Sequence, residues 1–282
     1  MTLSATSLVN RSLELVSPPS TYTRLDTLIQ DPDSAIDDFA SVINTDPALA
    51  TRLLKIVNSP FYGFPSQINT ISRAITIIGT RELNHLVLAT SVMNAFSGIP
   101  STLINMDSFW QHSLACAMTA RQLANACGQR GTERLFTAGL LHNIGSLVMY
   151  QSLPELAREA ISSARFGNET IFQAEQRIIG FDHSEVGEAL ALAWRLPESL
   201  VDTIRHHHYP AEAKTAALDV AIVHVADVMV SAVPFGHAGD AHVPPLDPNA
   251  WQLLGLDLNI VPQILTQISL QLDSLTATML KT

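Results

Sequence analysis

Positive charge is scarce in this sequence, and so is charge altogether. Sixteen lysines and arginines stand against 26 aspartates and glutamates, a formal net charge of -10, and charged residues make up 15% of the 282. Without any lysine–arginine run, such a chain is a poor electrostatic partner for nucleic acid or an anionic membrane. Cysteine is nearly missing. Cys116 and Cys127 are the only two, and on one helix they would lie roughly 16 Å apart, beyond disulfide reach. That usage suits a reducing, cytoplasmic setting. Neither cysteine has a clear basic neighbour in sequence, and there is no Gly-x-Ser-x-Gly elbow, so nothing points to nucleophilic catalysis. Gly-rich phosphate loops are lacking as well. The first residues carry no basic-then-apolar secretory pattern. The most apolar stretch, Val220 to Val233, is interrupted by His224 and Asp227 and is too short to span a bilayer. Sustained period-2 alternation and Asn-Gly or Asp-Gly hairpin turns are missing, which argues against a β fold.

What remains is helix. Hydrophobic residues make up 47% of the chain, enough for a compact all-α body whose helices are buried on more than one side. Caps and prolines set the expected boundaries. Residues 1–16 read as a short amphipathic helix broken at Ser17-Pro18-Pro19-Ser20. Ile36, Phe39, Ala40 and Ile43 repeat at helical spacing. Asp46-Pro47 is an N-cap followed by proline at the first helical position; that helix stops near Asn58-Ser59-Pro60, before the aromatic turn Phe61-Tyr62-Gly63-Phe64-Pro65. This turn is read as packing rather than as a partner anchor. Helices then follow at Ile71–Ile78 and Glu82–Phe96. Ser97-Gly98-Ile99-Pro100-Ser101 is the best internal boundary. Beyond it Asp107 is expected to cap a helix to about Cys127, and Glu133 to about Tyr150 reads as one continuous helix. Further helices are read at Leu156–Arg165, Thr170–Ile178, Asp182 (with Glu185 as a capping box) to Trp194, Pro197 to about His208, and Thr215–Val233. Residues 234–250 read as a long loop, and Ile260–Met279 as a final amphipathic helix. The expected divisions are 1–100, 101–214 and 215–282, with the first an N-terminal helical subdomain.

Several histidines fall on apolar helical faces. His112 shares a face with Cys116 and Thr119, His142 with Leu135, Ala138 and Met149, and His183 with Val186, Gly187 and Leu190. His207 and His208 lie on the side of Leu200 and Ile204, while His206 lies over Asp202 on what reads as the wetter side. A single inward histidine is usually a core residue bonded to a carbonyl or a water. Asp227 is harder to dismiss, because a buried carboxylate needs a cation, a donor network or a metal. Taken together, imidazoles and a carboxylate suit iron, manganese, zinc or nickel, and such an ion can generate a nucleophilic water. The residue after His142 is Asn143, an amide, which is a weaker ligand than a carboxylate and cannot balance cationic charge.

Ordered blocks of sequence resemble the HDOD domain, the HD-related output domain of bacterial signalling proteins. They are Asp46-Pro47-Ala48-Leu49, Arg52 to Gly63, Ile71-Ser72-Arg73-Ala74-Ile75, Gly139 to Ser146, His183 to Gly187, Trp194-Arg195-Leu196-Pro197 and His207-His208, within residues 18–212. The resemblance implies an HD-like helical bundle related to HD phosphohydrolases and to the HD-GYP cyclic-di-GMP phosphodiesterases. By that resemblance His112, His142, Asn143, His183, His207, His208 and Asp227 fall where those enzymes hold metal. Asn143 replaces the aspartate of the His-Asp pair, Ser146 stands in place of a lysine, Ser108 in place of a glutamate, and only Tyr209-Pro210 echoes the Gly-Tyr-Pro element. The resemblance thus implies a cytoplasmic bacterial regulatory module without catalysis. It would act on signalling proteins or a small ligand, with no nucleic-acid or membrane partner, and as a homodimer in one arrangement. The alternative is a metal-dependent phosphohydrolase. A third reading is a metal or redox sensor in which a bound ion sets helix packing.

Overall fold

The computed structural model describes residues 3–12, 19–96, 99 and 103–280. Among these residues every regular element is helical, as the absence of strand patterning predicts. In chain order the helices are α1 (Ala5–Ser12), α2 (Ser20–Gln30), α3 (Ile36–Asn44), α4 (Pro47–Val57), α5 (Ile71–Ile78), α6 (Thr80–Ala95), α7 (Met106–Ala126), α8 (Glu133–Leu141) and α9 (Ile144–Ser152). They continue with α10 (Pro154–Phe166), α11 (Ile171–Ile178), α12 (His183–Ala193), α13 (Glu198–His206), α14 (Ala217–Ser231), α15 (Pro248–Leu254) and α16 (Ile260–Leu280). None of the described helices is long and apolar enough to cross a membrane. The break expected at Ser17-Pro18 and most of the boundary expected at Ser97–Ser101 lie outside the described residues.

The chain divides into two compact units, residues 18–96 with 269–282, and residues 1–17 with 97–268. In the smaller unit, local capping follows the sequence closely. Asp46 accepts the Leu49 amide at 3.0 Å with Pro47 behind it, and Thr70 accepts the Arg73 amide at 3.2 Å. Asn58 does more than stop α4. Its Nδ2 donates to the Leu54 and Ile68 carbonyls, and its Oδ1 accepts the Ile68 amide at 2.8 Å, which pins the connection to α5. The rings of Phe61, Tyr62 and Phe64 pack on each other within that connection.

In the larger unit α7 is buried along most of its length, from Phe109 to Ala124. Small residues let its neighbours approach at backbone distance. A Cβ on Gly139 of α8 would sit 2.8 Å from the Ala117 Cα and the Cys116 carbonyl of α7, closer than real Cβ contacts come. Gly145 of α9 meets α12 in the same way, against Gly187. Asn105, not Asp107, caps α7, its Oδ1 accepting the Ser108 amide at 3.1 Å; the helix starts two residues earlier than a cap at Asp107 would place it. Residues 234–250 do not stay irregular to their end, because Asp247 caps α15 with Pro248 at its first position.

Asp202 shows how a buried carboxylate can be wholly structural. It is 5% exposed and accepts the backbone amides of Lys214, Thr215 and Ala216 at 2.8–3.1 Å, at the start of α14. Those donors outweigh burial and hold its pKa below the ordinary carboxylate range. His206, expected on a wet face, is 4% exposed, with its Nε2 3.6 Å from Asp202. The segment 210–216 folds over that side of α13 and covers both. Asp202→Ala leaves three part-buried backbone amides without this acceptor, and should cost about 2 kcal/mol in urea unfolding.

Candidate metal centre

The helix expected over 133–150 is interrupted at His142-Asn143, the two residues at the middle of the pattern. The break frees backbone carbonyls, and the His142 ring uses one of them. Its Nδ1 lies 2.7 Å from the Gly139 carbonyl and donates to it. That bond fixes the tautomer, so Nε2 keeps its lone pair, and Nε2 is buried with no hydrogen-bond partner. His207 repeats the arrangement just past the end of α13. Its Nδ1 bonds the Ile204 carbonyl at 2.8 Å, and its Nε2 is likewise buried and unpartnered. Two inward lone pairs held ready by outward backbone bonds are a fit for a cation.

Around His142 the other donors gather. His112 of α7 and Asp227 of α14 approach at 3.2 Å between Nε2 and Oδ1, and His142 Nε2 is 3.7 Å from the same oxygen. Cys116, one turn after His112, places Sγ 3.5 Å from His112 Nε2 and 3.9 Å from Asp227 Oδ1. One ligand atom from each of His112, Cys116, His142 and Asp227 lies within 4.8 Å of the other three, and all four residues are buried. His183, His207 and His208 form a second group on the same criterion. The two groups adjoin, because the His142 and His207 ring centres are 5.1 Å apart.

The second group is organised by hydrogen bonds of its own. His183, the first residue of α12, presents Nδ1 to Glu175 of α11 at 2.6 Å, and its Nε2 meets His208 Nε2 at 2.9 Å. The His208 ring stacks on Phe172, with centres 4.2 Å apart.

Burial divides the protonation states. It pushes His142 down to about 4, although the Asp227 carboxylate opposes it. It takes His207 and His208 well below the ordinary imidazole value. Burial acts on His183 in the same direction but is outweighed by Glu175, which lifts it to about 9. For Asp227 burial works upward, and the His112 hydrogen bond with the neighbouring imidazoles prevails, so the carboxylate stays ionised. The Cys116 thiol is held well above its usual pKa by burial and by Asp227.

Of the seven residues the sequence singles out, His112, His142 and Asp227 come together, and His183, His207 and His208 come together beside them. Asn143 is buried next to His142 and supplies no anionic donor. Two further residues complete the clusters. Cys116 does have a basic neighbour, since His112 lies one helical turn before it. Glu175 is a buried carboxylate on the Ile171–Phe172 face of α11, the same signal that marked Asp227. His224, which shares the Asp227 helix, turns away from the cluster. It donates from Nδ1 to the His207 carbonyl at 2.7 Å and accepts the Asp247 amide at Nε2 at 2.9 Å.

The fold is shared with known proteins. The family model of the HDOD domain matches residues 15–210. The crystal structure of an HDOD domain protein of unknown function from Geobacter sulfurreducens aligns with a TM-score of 0.76 at 26% identity, over 98% of this chain and 97% of that one. A presumed phosphohydrolase from Shewanella amazonensis SB2B aligns with a TM-score of 0.76 at 22% identity, over 97% and 98% of the two chains, and shows the same fold. An uncharacterized protein of Treponema pallidum (strain Nichols) is 30% identical over 205 residues, 72% of this chain, and the match spans 39% of that relative's length.

Proposed function

Because the chain belongs to the HDOD family, we propose that it is a regulatory module of bacterial signalling that holds a divalent ion in its interior and does not hydrolyse phosphate esters. One observation carries this reading: the distribution of anionic groups between the two donor clusters. Asp227 belongs to the first cluster, beside a Cys116 thiol that ionises only on binding an ion, while the second offers three imidazoles and no carboxylate. A pair of divalent ions working on one phosphoryl group sits about 3.5–4 Å apart, and ions that close need anionic ligands between them to offset their repulsion. Asn143, directly after His142, offers an amide there. In the second cluster the nearest carboxylate, Glu175, is spent on His183 Nδ1, and the His183 and His208 Nε2 atoms share one proton with each other. A single ion at His112, His142 and Asp227 has a donor set that fits; a second ion beside it does not.

In this reading, output runs through contacts with protein partners or a small ligand, in the cytoplasm. Protein loaded with manganese, iron or zinc should turn over cyclic dinucleotides and nucleotides no faster than a His142→Ala variant. Metal-dependent turnover approaching 1 s⁻¹, roughly the low end of ordinary enzyme rates, and lost in His142→Ala, would establish the phosphohydrolase instead.

A further inference from the structure

The first cluster contains a donor that the pattern of histidines and acids does not call for. We propose that Cys116 is a metal ligand, and that with His112, His142 and Asp227 it closes a four-coordinate site selective for zinc-like ions. The inference rests on the reading of this centre as one that holds an ion rather than one that hydrolyses.

Zinc binds sulfur at about 2.3 Å and imidazole nitrogen or carboxylate oxygen at about 2.0–2.1 Å, in a tetrahedron. Those lengths put sulfur about 3.6 Å from a neighbouring donor, and nitrogen about 3.3 Å from oxygen. The corresponding edges here are 3.5 Å from Cys116 Sγ to His112 Nε2, 3.9 Å from Sγ to Asp227 Oδ1, and 3.2 and 3.7 Å from Asp227 Oδ1 to His112 and His142 Nε2. Four edges therefore lie within a few tenths of an ångström of those a tetrahedral zinc site needs. The fourth donor, His142 Nε2, is fully buried and has no other hydrogen-bond partner.

The spacing has a structural origin. Cys116 follows His112 by one turn, so both side chains leave α7 on one face. Gly139 lets α8 approach the backbone of α7 at Cys116 and Ala117, which brings the His142 break to that face. Asp227 enters from α14. On binding, the ion replaces the thiol proton of Cys116, which leaves to solvent, and takes the His112 Nε2 lone pair with the ring proton on Nδ1. The chemistry then sets the preference, since thiolate favours zinc or cobalt(II) over manganese or magnesium. Four protein donors also leave no open position of the kind a catalytic zinc keeps for water.

The test uses the full chain, stripped of metal and titrated with cobalt(II) while absorption is followed. The expected result is a sulfur-to-cobalt charge-transfer band in the near ultraviolet, with the strong visible bands of a four-coordinate ion. Cys116→Ser should remove the charge-transfer band, keep the helical circular dichroism, and weaken zinc binding by about 100-fold or more. Cys127→Ser should change neither. Cobalt bound without a sulfur band, unchanged zinc affinity in Cys116→Ser, or no binding at all would each overturn the assignment. The wild-type band decides the matter even if the serine variant folds poorly. Phosphate-ester turnover by the zinc-loaded protein would overturn the regulatory reading and leave the cobalt result untouched, so the two failures are separable.

Discussion

Gly145→Val should leave little folded protein at ordinary temperatures. Gly145 is the second residue of α9, and a Cβ there would sit 2.5 Å from the Gly187 amide nitrogen and closer still to the His183 carbonyl. These obstacles are backbone, so no rotamer change relieves them. Helices α9 and α12 would have to move apart, and α12 would carry the His183 ring away from His207 and His208. Overpacking of this kind costs about 3 kcal/mol or more, a large part of the stability of an ordinary domain. Urea unfolding gives the cost directly, and Gly145→Ala should show a smaller loss in the same direction. A valine variant that melts with the wild type would mean that this crossing is not the tight contact described.

Acidification should produce the second large effect. In an unfolded chain histidine takes its proton near pH 6.5. Burial holds His142 down to about 4 and His207 and His208 well below their ordinary value. Below pH 6.5 the unfolded chain therefore binds protons that the folded chain refuses, and stability falls as pH falls. Each ring contributes about 1.4 kcal/mol per pH unit in that window, so three together remove on the order of 5 kcal/mol by pH 5. His183 runs the opposite way. Its folded pKa is raised to about 9, so its contribution is complete below pH 6.5 and disappears as pH rises through 9. Urea midpoints in metal-free buffer should therefore peak near neutrality and drop steeply toward pH 5. A flat profile between pH 7 and 5 would show that these rings are not held neutral in the folded chain.

The sequence shows the fold more fully than the site. Caps at Asp46 and Asp182 and the stripe Ile264, Ile268, Leu272 and Leu275 are local signals, and each marks its helix where the structure has it. The interruption at His142-Asn143 is not local. Gly139, Asn143 and Gly145 are weak helix formers, yet nothing local picks the point of the break, which follows the packing of α8 on α7 and of α9 on α12 through glycines whose partners are distant in sequence. Periodicity points His112, His142 and Asp227 inward but cannot divide the histidines into two groups, because the division depends on Glu175 reaching His183. Cys116 was visible on the His112 face. Its distance from Asp227, 111 residues further along the chain, was not.

His207 faces two ways, and this ties the interior to the exterior. Its ring looks into the donor cluster, while its carbonyl receives the His224 proton at 2.7 Å, and His224 in turn receives the Asp247 amide at 2.9 Å, where α15 begins. Neither bond has slack. The backbone at His207 and the leading turn of α15 are thus joined through two hydrogen bonds on one imidazole. Leu253 stands on that helix, 52% exposed. A shift of the His207 backbone would therefore be felt first at the N-terminus of α15, the helix that carries this exposed leucine.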